Sequence, residues 1–509
     1  MDVLNNLVLG FGVALTPSNL MYSFIGVFMG NLIGVLPGIG PLAAISMLLP
    51  VTYALEPGSA LMMLAGIYYG AQYGGATTSI LLNLPGVASH AVTCLDGHPM
   101  AKQGRGGAAL FMAMFASFIG ATIGILLMTF FSPLLVEMAF KFGPAEYFAM
   151  MLLGLLAAST LAKGSPLKGI AMVLVGLVAG VVGTDVNSGV PRFSFDIPEL
   201  TDGINLIALA MGLFGVADVL TNVNKIGVGS AVGTKISMRS LRLAKGELKR
   251  SWAPIFRGTA IGSFFGILPG TGSTIASFIS YATEKKVSKH PEQFGHGAIE
   301  GVAGPEAANN AASQTAFIPT MSLGIPGDAV MALMLSALMI HNIQPGPQLI
   351  TEHPTIFWGL IASFWIGNLL LLILNIPLIG MWVKLLTVPY RMIYPAVLFF
   401  ICIGVYSSNN NLFDVGVVLA IGVCGYFTTR LGFEPAPVLL GFVLGPMVEE
   451  HFRRALLLSR GDPSVFFTRP ISAGFMLACF TLLGAVAYSH FRKQQKMARI
   501  AKLNAMPAP

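Results

Sequence analysis

The sequence predicts an all-α polytopic membrane protein, built as two inverted-topology repeats with re-entrant or broken helices and roughly 10–14 membrane segments. Three observations carry that expectation. Hydrophobic residues fill 55% of the 509 positions and charged residues only 10%, with a mean hydropathy of +0.76, whereas a soluble domain is about 25% charged. A glycine-periodic stretch ending in Pro-Gly occurs once in each half. The few basic residues flank these stretches with opposite bias in the two halves.

Composition sets the class. With 29 Lys and Arg and 22 Asp and Glu, the chain could not cover the surfaces of several soluble domains. A soluble enzyme, a nucleic-acid reader and a disordered scaffold are thereby excluded. The 59 glycines fit membrane helices, where small residues let helices approach closely. The net charge of +7 reads as topology, because Lys and Arg collect in cytoplasmic loops. Cys94, Cys402, Cys424 and Cys479 have no paired spacing and read as small apolar packing residues. The N-terminus lacks a positive n-region and a small-residue cleavage site, so no removable signal peptide is expected.

Apolar segments long enough to span fall at about 20–36, 59–82, 107–131, 144–161, 167–183, 204–220, 258–281, 310–340, 357–386, 390–406, 412–427, 435–447 and 464–488. Between Asn222 and Gly258 lie eight basic residues and one acid, Glu247. The expected organisation is a first repeat at 1–222, a basic cytoplasmic linker at 223–257, a second repeat at 258–489 and a basic cytoplasmic tail at 490–509. Both charge runs read as solvated or headgroup-facing surfaces without a ligand.

The repeat itself is explicit. GVFMGNLIGVLPGIG (26–40) and GTAIGSFFGILPGTG (258–272) align without a gap at an offset of 232, with seven of fifteen positions identical. A second pair, TTSILLNLPG (77–86) and PTMSLGIPG (319–327), supports it. Glycine every fourth residue lines one helix face for close contact. Pro-Gly then ends the helix, because Pro lacks an N–H and Gly accepts unusual dihedrals. The freed backbone groups are tolerable in a membrane only where they line a cavity or bind something. A single such break is ordinarily a kink; four in matched positions are the signature of a transporter binding site.

Charges then argue for inversion. LPGTG at 268–272 lies between Arg257 and Lys285, Lys286 and Lys289, and reads as a re-entrant hairpin open to the cytoplasm. Its first-half counterpart has no Lys or Arg from Met1 to Met100. After Pro85-Gly86 come Lys102 and Arg105, but 341–354 after Pro326-Gly327 has neither Lys nor Arg. Stretch 449–469, placed outside by this scheme, fits less well, since it carries four arginines.

Polar residues cluster at the breaks: Gln72, Thr77, Thr78, Ser79 and Asn83 in the first half, and Ser273, Thr274, Glu306, Asn309, Asn310, Ser313, Gln314, Thr315, Thr320, Ser322 and Asp328 in the second. Hydroxyls and amides donate to carboxylates and offer oxygen to Na⁺. Any one of them alone reads as a helix-packing hydrogen bond. Asp328, directly after Pro326-Gly327, suggests a cation or proton partner, or else a solvated interface position. Glu300 and Glu306 read as loop-flanking acids. Asp185, Arg192, Asp196, Glu199 and Asp202 read as one external loop. GIGPLA at 38 and GTGSTIA at 270 imitate half a dinucleotide fingerprint but follow no strand, and no GxSxG, HExxH or Walker A motif is present. No metal-ligand spacing is seen among the eight histidines.

Taken together, GVLPGIGP (34–41), YGAQYGGATTSILLNLPG (69–86), DGHPMAKQGRGGAAL (96–110), GILPGTG (266–272), GPEAANNAA (304–312), SLGIPGD (322–328) and LGFEPAPVLLGFVLGPMVEEHFRRAL (431–456) resemble the large membrane subunit of the tripartite tricarboxylate transporters. The resemblance implies a bacterial inner-membrane secondary transporter, working with a small four-helix membrane subunit and a periplasmic substrate-binding protein. It implies uptake of tricarboxylates, dicarboxylates or aromatic acids by symport with Na⁺ or H⁺, no other cofactor and no enzymatic activity. The alternative from another class is a channel or scaffold subunit without a coupled cycle. The expected substrate site is the backbone at Gly38, Ile39 and Gly40 and at Gly270, Thr271 and Gly272, with Thr78, Ser79, Asn83, Ser273, Asn309, Asn310 and Thr320. Ion coupling is expected at Asp328, Asn83, Gly86 and Gly327.

Overall fold

The computed structural model describes residues 3–36, 40–161, 165–185, 188–222, 236, 238–268, 272–386 and 390–504. They are almost entirely helical. The first half contains α1 (Val3–Ala14), α2 (Pro17–Val35), α3 (Pro41–Thr52), α4 (Pro57–Leu82), α5 (Thr93–Met100), α6 (Gly106–Ala139), α7 (Pro144–Leu161), α8 (Pro166–Gly180), α9 (Leu206–Ala210) and α10 (Ala217–Asn222). A 3₁₀ turn at Ala88–Ala91 precedes α5, and a π-helical turn joins α9 to α10. A small antiparallel hairpin, β1 (Gly183–Thr184) with β2 (Pro191–Arg192), opens the exposed loop after α8. The second half contains α11 (Glu247–Ile267), α12 (Gly272–Val287), α13 (Glu300–Thr315), α14 (Phe317–Leu323), α15 (Ala329–Ile340), α16 (Pro347–Glu352), α17 (Pro354–Asn375), α18 (Ile379–Leu385), α19 (Tyr390–Asn409), α20 (Leu412–Arg430), α21 (Ala436–Leu458), α22 (Val465–Thr468) and α23 (Pro470–Asn504).

Among the described residues five stretches are long and apolar enough to cross a membrane: Pro17–Val35, Thr93–Ala139, Pro354–Asn375, Leu412–Arg430 and Pro470–Tyr488. Shorter apolar helices accompany them, as in a multi-pass α-helical membrane protein. Two expected spans are divided. Segment 258–281 is the end of α11 with α12, and 310–340 is the end of α13 with α14 and α15, the last two separated at Pro326-Gly327. The linker's last eleven residues are helical, because α11 starts at Glu247 rather than Gly258. The described part of the tail, to Asn504, continues α23.

The matched sequences pack in matched ways. A methyl added at Gly26, Gly30 or Gly34 of α2 would collide with the carbonyls of Met63, Ile67 or Ala71 of α4. At Gly258, Gly262 and Gly266 of α11 the obstacles are the carbonyls of Gly304, Ala308 and Ala312 of α13. A constant offset of 241 relates the two carbonyl sets. The glycine stripes therefore exist so that backbones can touch. Every residue from Ser59 to Leu82 and from Glu300 to Thr315 is buried, so α4 and α13 are wrapped on all sides.

The chain divides into two compact units, residues 1–140 with 182–431 and residues 141–181 with 432–509. Each draws on both halves of the sequence. In the smaller unit α8, from the first half, packs on α21 from the second. In the larger unit α20, from the second half, packs on α10 and the π turn from the first.

Within the larger unit, α6 is a 34-residue helix about 50 Å long. At its N-terminal end Arg105 pairs with Glu247, and Gln103 donates to the His296 carbonyl at 2.8 Å. Toward its other end Ser322 donates to the Ser132 carbonyl at 3.3 Å, and Gly324 lies against Pro345 and Gly346. The basic loop after the first half's second break and the loop of 341–353 thus lie near opposite ends of α6. In the smaller unit three of the four arginines of 449–469 are ion-paired: Arg453 with Glu449 at 2.5 Å, Arg454 with Glu450 at 2.6 Å and Arg469 with Glu146 at 2.6 Å.

Candidate functional site

Each half brings its own two breaks together. α4 ends at Asn83 in the left-handed conformation (φ 58°), and α14 ends at Gly324 in the same conformation (φ 71°). Asparagine and glycine are the residues that stop a helix this way. The chain then turns through Pro-Gly and folds back. Gly86 rests on the Gly34 carbonyl and Gly75, and Gly327 approaches the Gly266 carbonyl and Ala316. A methyl at Gly86 would collide with the Gly34 carbonyl, whereas one at Gly327 would press on the Ala316 side chain only by a few tenths of an ångström. The second break of each half therefore sits on the helix end that forms the first.

The expected substrate residues are distributed around these junctions. Thr78 donates to the Val35 carbonyl at 2.7 Å, tying α4 to the last turn of α2. Ser79 donates to the Gly75 carbonyl at 2.8 Å and Thr320 to the Ala316 carbonyl at 2.7 Å. Both hydroxyl protons are spent within their own helices. Asn83 is exposed, and Gly40, which begins α3, has open space where a side chain would stand. Gly272, at φ 58°, begins α12 beside Asp328, and Ser273 is buried next to it. Gly38, Ile39, Gly270 and Thr271 lie outside the described residues. Asp328 caps α15: its Oδ1 accepts the Met331 N–H at 2.9 Å and its Oδ2 accepts the Tyr68 hydroxyl of α4 at 3.0 Å.

Asn309 and Asn310 belong to a different group of residues, a buried polar network that joins the halves. Glu306 is in the middle of α13 with no exposure, not at a loop edge. Its Oε1 accepts the Thr93 hydroxyl at 2.5 Å, and its Oε2 accepts the Ser117 hydroxyl at 3.3 Å. The His90 Nε2 stands 3.6 Å from Oε2 and 3.3 Å from the Asn309 amide nitrogen. Asn310 donates to Ser117 at 2.7 Å and to the Glu306 carbonyl at 3.1 Å. His90 Nδ1, Asn309 Oδ1 and Asn310 Oδ1 are buried without a hydrogen-bond partner in the protein. Gly75 makes room for the imidazole, since a methyl there would come within 2.7 Å of Nδ1. Hydroxyls and imidazole replace the water that a buried acid loses. Sequence reasoning missed His90, Thr93 and Ser117. The available signal was an ionisable residue inside an otherwise apolar run, VASHAVTC (87–94).

Asp96, within the stretch 96–110, has a structural task. It is fully buried, and its Oδ1 accepts the N–H groups of Gly295, Gly297 and Ala298 at 2.8, 2.8 and 2.9 Å. Its Oδ2 accepts the Tyr281 hydroxyl at 2.9 Å. Nearby, Arg257 forks onto Glu284 at 2.9 and 2.6 Å, and Arg250 reaches Glu300 at 2.7 Å. One end of the larger unit is thus fastened by a carboxylate staple and ion pairs.

The model of the tripartite tricarboxylate transporter TctA family matches residues 20–440. The chain is 54% identical over 485 residues to an uncharacterized 52.8 kDa protein in the TAR-I ttuC' 3'region of Agrobacterium vitis, covering 95% of this chain and 96% of that protein. It is 60% identical over 224 residues to an uncharacterized protein in the TAR-II ttuC' 3'region of the same organism, covering 43% of this chain and 93% of that one. No solved structure matches.

Proposed function

The chain belongs to the tripartite tricarboxylate transporter TctA family, and from that premise we propose that it performs secondary active uptake of an organic carboxylate across a bacterial inner membrane. The single observation that carries this reading is the matched pair of junctions, where two broken helices of each half meet beside a helix buried on all sides. Inverted halves of this kind alternate access around a central site. The substrate is a tricarboxylate, dicarboxylate or aromatic acid. Its carboxylates are held by the backbone at 38–40 and 270–272 and by Thr78, Asn83, Ser273, Asn309 and Asn310; Ser79 and Thr320 shape the helices that present them. A cation, Na⁺ or H⁺, couples at the break residues Asn83, Gly86, Gly327 and Asp328. A periplasmic binding protein delivers the substrate, and a small four-helix membrane subunit completes the assembly.

The test is reconstitution of this chain in proteoliposomes with a small four-helix subunit and a periplasmic binding protein from the same organism. Labelled citrate, succinate and benzoate represent the three substrate classes. At least one should accumulate against its gradient when a Na⁺ or proton gradient is imposed, and only with the binding protein. Flow that never exceeds equilibration, or a conductance without the binding protein, would replace this reading with a channel. Gly270→Ala and Asp328→Asn should each lower uptake at least about tenfold, the effect of losing one well-placed interaction of about 1.4 kcal/mol.

A further inference from the structure

His90 and Glu306 form a buried acid–imidazole pair, and its surroundings leave it a specific amount of charge. Among the described residues no Lys or Arg bonds to either. From α4, Tyr73 lies within electrostatic reach of Glu306, and its hydroxyl is given to Asn368 at 2.6 Å. From α5, Cys94 lies within the same reach, while Asp96 is taken up by the 295–298 loop and Tyr281. From α6 only the Ser117 hydroxyl meets the pair. On α12 and α13 the other acids, Glu284 and Glu300, are matched by Arg257 and Arg250, and Lys285 and Lys286 are exposed.

With no proton the pair carries one negative charge, with one it is neutral, and with two it carries one positive charge. An uncompensated charge is costly in a low-dielectric interior, so a pair of this kind exchanges a proton only where water reaches it. Opening to water relieves that cost and allows the proton to leave.

We propose that His90 and Glu306 are a one-proton site through which a pH gradient drives uptake, transmitted to the substrate by Asn309. This rests on the transport reading above and adds a second coupling position to Asp328. The link is geometric. The Asn309 amide nitrogen, 3.3 Å from His90 Nε2, donates only while Nε2 has a free lone pair. A proton arriving on Nε2, on the side of Glu306 Oε2, removes that acceptor. The carboxamide must then turn its unpartnered Oδ1 toward the imidazole, which releases its NH₂ for a substrate carboxylate. Proton binding and carboxylate binding therefore favour each other, and the coupling is reciprocal.

The experiment uses the complete reconstituted assembly, the labelled acid from the panel that it takes up, a clamped membrane potential and equal Na⁺ on both sides. An imposed gradient of one pH unit should raise accumulation about tenfold for each coupled proton. Glu306→Gln keeps the shape and removes the exchangeable proton. It should abolish the response to pH while labelled substrate still exchanges for unlabelled and any Na⁺-driven part persists. His90→Gln should show the same split, and Glu306→Asp should restore part of the pH response. As a readout that needs no variant, substrate added to the wild-type assembly in weakly buffered detergent should draw protons from solution, followed with a pH dye. A wild type indifferent to the pH gradient, no proton uptake on substrate addition, or an undiminished pH response in both Glu306→Gln and His90→Gln overturns the proposal. Failure of the transport reading looks different, because then no acid of the panel accumulates under any gradient.

Discussion

At the residue scale, Asp96 and Glu306 show how one side-chain type is used in two ways. Both are carboxylates without exposure. Asp96 faces three backbone N–H groups fixed by the loop at 295–298 and a tyrosine hydroxyl from α12, so it is a staple. Glu306 faces hydroxyls and an imidazole, groups that can turn or change charge. The difference predicts different mutant behaviour. In Asp96→Asn the amide oxygen can still accept the three N–H groups and the NH₂ can donate to Tyr281, so only charge assistance is lost, about 1–2 kcal/mol. Asp96→Ala strands the donors. Gly295 is exposed and can turn to water, but Gly297 and Ala298 are less accessible, and the loss should be about 3 kcal/mol. Thermal unfolding in detergent measures both; equal melting shifts for the two variants would refute the staple. Nothing in the sequence distinguished these two acids, because the loop that meets Asp96 is about 200 residues away in the chain.

At the element scale the glycine stripes carry the argument. A four-residue period was legible in the sequence, and so was its duplication. What each stripe touches was not. Gly30 and Gly262 meet backbone carbonyls of α4 and α13, which cannot move without displacing a helix. Gly30→Ala and Gly262→Ala should each destabilise by about 1–3 kcal/mol through overpacking, while Gly12→Ala and Gly416→Ala, where nothing lies within 4 Å, should change melting little. If all four variants melted alike, close backbone contact would not be the reason for the stripes. The same close approach explains the breaks. α2 and α11 each run tight against a buried helix, and in the first half the returning Pro-Gly segment fits only because Gly86 lacks a side chain.

At the scale of the whole molecule, the halves exchange partners: α8 joins α21, and α20 joins α10. A chain that folded as two independent repeats would not mix them. The two loops after the second breaks lie near opposite ends of α6. With Cys94, Cys402, Cys424 and Cys479 replaced, Lys102→Cys should label from the cytoplasm and Gln348→Cys from the periplasm; labelling of both from one side would remove the inversion. The arginines of 449–469, which fitted that scheme poorly as bare charges, are largely matched by Glu449, Glu450 and Glu146.

The sequence by itself determined the class, the duplication and the places where helices stop. Those depend on local chemistry: apolar runs, glycine period, and the missing N–H of proline. Only the tertiary structure decided which breaks meet, that Glu306 lies in a helix interior, and that His90 is its neighbour. Those facts are set by contacts between residues 213 to 219 positions apart. No local pattern encodes such a distance; it follows from how two buried helices are wrapped by the rest of the chain.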